Sequence, residues 1–303
     1  MNLRQGSRKE IDFKRIKNEA LKMNNYGEND KQGQYWNEAP GQSWVINDTA
    51  MNERLQNISD ILFEGIDVTG CKNGLDIGCG AGSTTRRLAT IMSNQATVTG
   101  LDISEKLLTL ARSQSDSLGK FFLQADAQSY TFEPEGFDLA ISRFGVMFFE
   151  NPLKAFQNIK SAIQKGHELR FVCWAPLTAN DFFLSPLNTV VDITGVSFAE
   201  PGNEPGPLAF SDRTYLSSIL KAAEFSSINI DAVETIISTK DSVEKNAALL
   251  MEIGMGFRAI KEAAPTHEVL DKIREAFVTD GNKRLQNGLI SYDATIYRVS
   301  ALA

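Results

Sequence analysis

Asn73-Gly74-Leu75-Asp76-Ile77-Gly78-Cys79-Gly80-Ala81-Gly82-Ser83 is a short apolar strand carrying Asp76 that breaks into three alternating glycines. Glycine at every second position lets the backbone take positive φ and lets a bound molecule approach more closely than any Cβ allows. Ser83 reads as a helix N-cap, and Leu88, Ile91 and Met92 follow at helical spacing. The glycines therefore stand between a strand and a helix, where an α/β sheet binds ligands.

Working outward, Ala96–Asp102 reads as a second strand that ends in a carboxylate about 20 residues beyond the last glycine, placed to accept from both ribose hydroxyls of a nucleotide cofactor. A third strand is expected at Phe121–Gln124, followed by Ala125-Asp126-Ala127. Phe137–Ser142 gives a fourth and Glu168–Cys173 a fifth. Between them Ser104 caps a helix with Leu107, Leu108 and Ala111 inward. Asn151-Pro152 opens another, with Leu153, Phe156, Ile159 and Ile163 on one face. This alternation predicts a mostly parallel sheet, in which ligands bind beyond the carboxyl ends of the strands. Gly78, Asp102, Asp126 and Ser142 all fall there.

The whole chain has 303 residues, 42% hydrophobic and 23% charged, enough for one large domain with additions. A net charge of -7 argues against nucleic acid or an anionic membrane as partner. Cys71, Cys79 and Cys173 show no metal-ligand or CxxC spacing and read as buried thiols in a reducing cytosol. No apolar stretch is long enough for a membrane span, and the expected location is cytoplasmic.

A dinucleotide dehydrogenase would show GxGxxG, but Ser83 stands where its third glycine belongs. The run Asp76-x-Gly78-x-Gly80-x-Gly82 instead resembles the first motif of the class I S-adenosylmethionine-dependent methyltransferases. The resemblance continues through Asp102, Ala125-Asp126-Ala127 and Ser142-Arg143-Phe144, covering about Trp36 to Cys173, with a layout similar to the quinone-biosynthesis C-methyltransferases. It departs at Lys165-Gly166-His167, where the family usually has Pro-Gly-Gly, and at Glu224-Phe225, where Gly-Phe is expected.

This resemblance implies a Rossmann-like α/β fold with a seven-stranded, mainly parallel sheet, the last strand antiparallel, plus helical cap insertions. It implies S-adenosyl-L-methionine as cofactor and a small-molecule methyl acceptor. By the same resemblance Gly78, Gly80 and Gly82 pass under the methionine portion and Asp76 organises that loop. Asp102 holds the ribose diol, Ile103 lies against the adenine, Asp126 and Ala127 meet the adenine edge, and Ser142 stands nearest the reacting sulfonium. Trp36, Arg143 and Trp174 are candidates on the acceptor side. Plainer roles stand beside these: a turn or cap for Asp126, an ion pair for Arg143, core anchors for Trp36, Trp44 and Trp174.

Residues 1–30 read as an extension, with an amphipathic helix at Glu10–Met23, and residues 31–303 as the catalytic domain. Its cap segments are expected at 31–63, 175–210 and 240–288, with helices at Val243–Ile253 and around Val269–Phe277, the latter capped by Thr266. A protein that keeps the fold to bind S-adenosyl compounds or a partner without catalysis is the alternative. Neither His167 nor His267 is placed as a general base, and both read as solvated loop residues.

Overall fold

The structure is a computed structural model that describes residues 29–115 and 120–303. The helix expected over Glu10–Met23 lies outside them. Strands β1 (Asn73–Ile77), β2 (Thr97–Asp102), β3 (Lys120–Gln124), β4 (Phe137–Arg143) and β5 (Ile163–Trp174) run parallel. β6 (Ser226–Thr239), β8 (Leu289–Leu302) and the two-residue β7 (Leu285–Gln286) complete the sheet. The order is β3-β2-β1-β4-β5-β8-β6, with β8 antiparallel to both neighbours and β7 paired to β8. The expected fold class holds, with one short strand added.

The central strands are apolar on both faces because helices cover both, as parallel sheets require. β4 buries six of its seven residues, and β1 four of five. Helices α5 (Ser83–Ile91), α6 (Glu105–Ser113) and α7 (Pro152–Ala162) follow β1, β2 and β4. Asn151 caps α7 by accepting from the Lys154 amide at 3.0 Å, and Pro152 supplies the first helical residue. Phe156 and Ile159 then sit fully buried against the sheet.

Several boundaries differ from the sequence expectation, each for a local reason. Gly82, at φ +79°, is the N-cap of α5, and Ser83 is its first helical residue. Asp212 caps the helix α9 (Arg213–Ala222), accepting from the Thr214 and Tyr215 amides. The departure at Lys165-Gly166-His167 lies inside β5, where Gly166 at φ +79° bends the strand and the β4–β5 register shifts. His167 is half-buried there, its Nδ1 2.7 Å from the Asp138 carbonyl, so it is no solvated loop residue.

Outer helices surround the carboxyl end of the sheet. On the N-terminal side these are α1 (Asp30–Asn37), α2 (Ala39–Ile46), α3 (Asp48–Arg54) and α4 (Gln56–Phe63); farther on come α8 (Asp181–Thr194), α10 (Val243–Leu250), α11 (Gly254–Ala263) and α12 (His267–Arg284). Side chains fasten them. Asn37 donates to the Ile103 carbonyl at 3.0 Å and accepts from the Glu105 amide at 3.0 Å, while the Ser104 hydroxyl donates to the Trp36 carbonyl at 2.7 Å. The end of β2 thus holds α1 over the crevice. Arg54, 2% exposed, pairs with Asp241 at 2.9 Å and reaches Asn246, which donates to the Tyr292 hydroxyl at 2.8 Å. That network joins α3 to α10 and β8.

Candidate functional site

The strand order reverses between β1 and β4, and a cavity of about 770 Å³ opens there. Gly78, Gly80 and Gly82 all take positive φ, yet the three glycines face different things. A Cβ on Gly78 would stand 2.6 Å from the Gly145 Cα, so this position serves a contact between the loops after β1 and β4. At Gly82 it would meet the Phe122 ring at 2.6 Å, and Gly82 does not line the cavity. Only around Gly80 is there open space, with no heavy atom within 4 Å of an added Cβ. Gly80 is the cradle.

The Gly80 amide donates to Asp102 Oδ2 at 2.8 Å, and the Ser104 amide donates to Oδ1 at 2.8 Å. Asp102 therefore locks the glycine loop to β2 while lining the cavity beside Ile103. Burial holds its carboxyl above the usual range, against the pull of those backbone amides. At the end of β3, Asp126 accepts from the Gln128 amide at 3.0 Å, the Ser129 hydroxyl at 2.8 Å and the Asn29 side chain at 3.2 Å. It is both a turn residue and part of the cavity wall, with Ala127 next to it.

Two expected site residues lie beneath the floor instead. Asp76 is fully buried, and its Oδ2 accepts from the Thr84 and Thr85 hydroxyls at 2.7 and 2.6 Å, fixing α5 to β1. Its Oδ1 is buried without a hydrogen-bond partner. Burial pushes this carboxyl up to about 6, against those hydroxyls and the charge of Arg143. Ser142 is also fully buried. Its hydroxyl donates to the Ile77 carbonyl at 2.7 Å and accepts from the Gly145 amide at 3.1 Å, so it pins the β4 exit and does not face the cavity.

Arg143 does line the cavity. Its guanidinium donates to Ser59 Oγ at 2.8 Å, Asn52 Oδ1 at 2.7 Å and Ser83 Oγ at 3.1 Å, with no carboxylate within 4.0 Å among the described residues. The ion-pair role does not hold. Beyond it the wall is aromatic: Phe144 stacks on Trp174 at 4.4 Å with an 8° interplanar angle, Trp174 meets Phe183 edge-on at 4.8 Å, and Trp36 meets Phe148 at 5.0 Å. Phe144 holds φ +68°, a conformation costing a bulky residue about 1–3 kcal/mol. Trp36, Trp44 and Trp174 all line the cavity.

Sequence reasoning missed Gly145, the positive φ of Phe144, and the whole of α11, which brings Phe257, Arg258 and Lys261 to the cavity. The available signal for α11 was the spacing of Met255, Ala259 and Ile260.

Residues 75–171 match a family model described as a methyltransferase domain, and that span runs from β1 through β5. Residues 75–171 thus carry a methyltransferase domain of the class I S-adenosylmethionine-dependent kind. Among relatives, the ubiquinone/menaquinone biosynthesis C-methyltransferase of Wigglesworthia glossinidia brevipalpis is 28% identical over 99 residues, 31% of this chain and 40% of that protein. The aklanonic acid methyltransferase of Streptomyces sp. strain C5 is 29% identical over 126 residues, 41% of this chain and 54% of that protein. The chain spans about half of the length of these curated relatives. A solved protein of Bacillus halodurans C-125, a candidate methyltransferase, superposes with a TM-score of 0.53 at 18% identity, covering 81% of this chain and 98% of that one. That likeness shows the fold. Among the described residues no helix is long and apolar enough to cross a membrane, and no cluster of His, Cys, Asp and Glu could hold a metal.

Proposed function

We propose that this methyltransferase moves the methyl group of S-adenosylmethionine to a small-molecule acceptor held beneath the outer helices. The observation that carries the reading is Gly80: left-handed, open toward the cavity, its amide fixed by Asp102. A molecule lying against that bare backbone has the Asp102 carboxylate beside it for a ribose diol. Ile103 and Ala127 offer apolar contact to a purine, and Asp126 stands at its edge. These residues fit the cofactor. When bound, it supplies an already activated sulfonium methyl.

The chain's own contribution is then placement. Trp36, Phe144, Trp174 and Phe183 line the cavity beside the glycine loop and give it an apolar wall. Holding donor and acceptor in line accelerates transfer by up to about 7–11 kcal/mol without a dedicated base. Neither histidine lines the cavity. The aromatic-walled space beyond the glycine loop supports a catalytic reading over a noncatalytic S-adenosyl-binding one.

Calorimetric titration with S-adenosylhomocysteine, beside NAD, tests the cofactor. The expected outcome is tight binding of the first alone. Loss of a charge-assisted hydrogen bond costs about 1.5–3 kcal/mol, so Asp102→Ala should weaken S-adenosylhomocysteine by at least about tenfold. Binding of NAD alone would sink the reading, and unchanged affinity in the variant would remove Asp102 from the ribose.

A further inference from the structure

Helix α11 has two faces of opposite character. Met255, Gly256, Ala259 and Ile260 are buried, and Gly256 abuts Pro186 of α8 so closely that a Cβ there would stand 2.8 Å from the proline Cβ. With that face fixed, Gly254, Phe257, Arg258 and Lys261, spaced i, i+3, i+4 and i+7, line the cavity. The packing of α11 on α8 therefore presents two cations to the cavity mouth.

Neither cation has a carboxylate within 4.0 Å among the described residues. The Arg258 guanidinium lies 5.6 Å from the Phe198 ring, and the Lys261 ammonium 5.2 Å from the ring of Phe257. Like charges three residues apart on one helix repel, and no ion pair within 4.0 Å offsets them among the described residues. The overall charge of -7 makes this stripe locally opposite in sign to the protein. Glu252, at the same rim, is the one acidic side chain of the 252–261 stretch that lines the cavity. Tyr35, Trp36 and the stacked Phe144–Trp174 pair line the same cavity.

We propose that the acceptor is an acidic aromatic small molecule, its ring against the Phe144–Trp174 wall and its anionic group met by Arg258 and Lys261. This rests on the methyl-transfer reading for the word acceptor; the anion site itself stands on the cations. Because both cations are exposed at the rim, the selectivity they give is modest, about fivefold for a pair of screened contacts.

The test uses the full chain loaded with S-adenosylhomocysteine and two probes of equal shape, 1-naphthoate and neutral 1-naphthamide, titrated by calorimetry. The expected result is that naphthoate binds about fivefold tighter than naphthamide, that the ratio collapses toward one in the Arg258→Gln/Lys261→Gln variant, and that S-adenosylhomocysteine affinity is unchanged. Both substitutions are at exposed positions on the helix's cavity side, away from its packed face. Equal binding of the two probes by the parent chain, absence of naphthoate binding, or a preference that survives the double substitution overturns the proposal. So does a fall in S-adenosylhomocysteine affinity, which would assign the cations to the cofactor's own carboxylate. If S-adenosylhomocysteine fails to bind at all, the cofactor reading fails by itself, and the probe ratio on the free chain still decides the anion site.

Discussion

The floor of the cavity and the helices over it are held by different chemistry. In the floor the contacts are made by the glycine backbone: Gly78 abuts the Gly145 backbone, and the Gly80 amide is held by the Asp102 carboxylate. Over it, side chains do the fastening, through aromatic edges around Trp36 and Trp174 and the buried Arg54–Asp241 pair. A backbone contact tolerates no added atom, whereas an aromatic wall can be rebuilt from other aromatics. On the proposed function, cofactor geometry sits in the part that cannot vary, and acceptor choice in the part that can.

The sharpest way to break this contrast is to put one methyl on each of two neighbouring glycines. Gly78→Ala forces a Cβ against the Gly145 backbone in a left-handed conformation and should lower stability by about 3 kcal/mol. Gly80→Ala carries only the conformational strain, about 1 kcal/mol, but places its methyl in the open space proposed for the cofactor. Thermal unfolding should separate the two variants, while calorimetry shows at least a tenfold loss of S-adenosylhomocysteine for Gly80→Ala. Equal losses of stability would mean that the Gly78–Gly145 contact is no tighter than the open side of Gly80.

That pair also shows how far the sequence could be read. The alternating glycines, Asp102 and Asp126 announce themselves by type and spacing, so the crevice and its cofactor class were legible. Which glycine faces a ligand was not, because it depends on Phe122 and Gly145, distant in the chain from Gly82 and Gly78. Ser142 was misplaced for a similar reason: its hydroxyl turns back to the Ile77 carbonyl once β4 pairs with β1. Helix α11 was hidden by Gly254 and Gly256, which lower helix propensity and are accommodated only by packing against α8.

Carboxylates sharpen the contrast next. Asp76 in the floor is buried with two hydroxyl donors and no cation in contact, whereas Asp241 in the helical cover has Arg54. A carboxyl raised from 3.8 to about 6 by burial binds more protons folded than unfolded between those values. Its contribution to stability is complete below about pH 3.8 and is lost as pH rises through 6. Urea unfolding of the parent chain relative to Asp76→Asn should therefore decline by about 2 kcal/mol between pH 4 and 7. The subtraction removes Asp102 and Asp126, whose carboxyls are shifted in the same direction. A flat difference would mean that Asp76 is solvated or paired in solution.

The smallest effect belongs to the cover's own fastening. Arg54→Met keeps the aliphatic bulk but removes the hydrogen bonds to Asp241, Asn246 and the Ala50 carbonyl. Breaking a fully buried pair costs about 3–5 kcal/mol. Asp241 keeps 25% of its side chain exposed and can return to water, which brings the expected loss to about 1–2 kcal/mol. Because the network joins α3 to α10 and β8, the loss should be local. Hydrogen exchange should quicken across residues 243–284 and stay unchanged across β1 to β4. S-adenosylhomocysteine affinity should also hold, since no residue of this network touches the glycine loop or Asp102. Exchange that quickened equally in the sheet would make floor and cover one cooperative unit, and the independence of cofactor geometry from acceptor geometry would go with it.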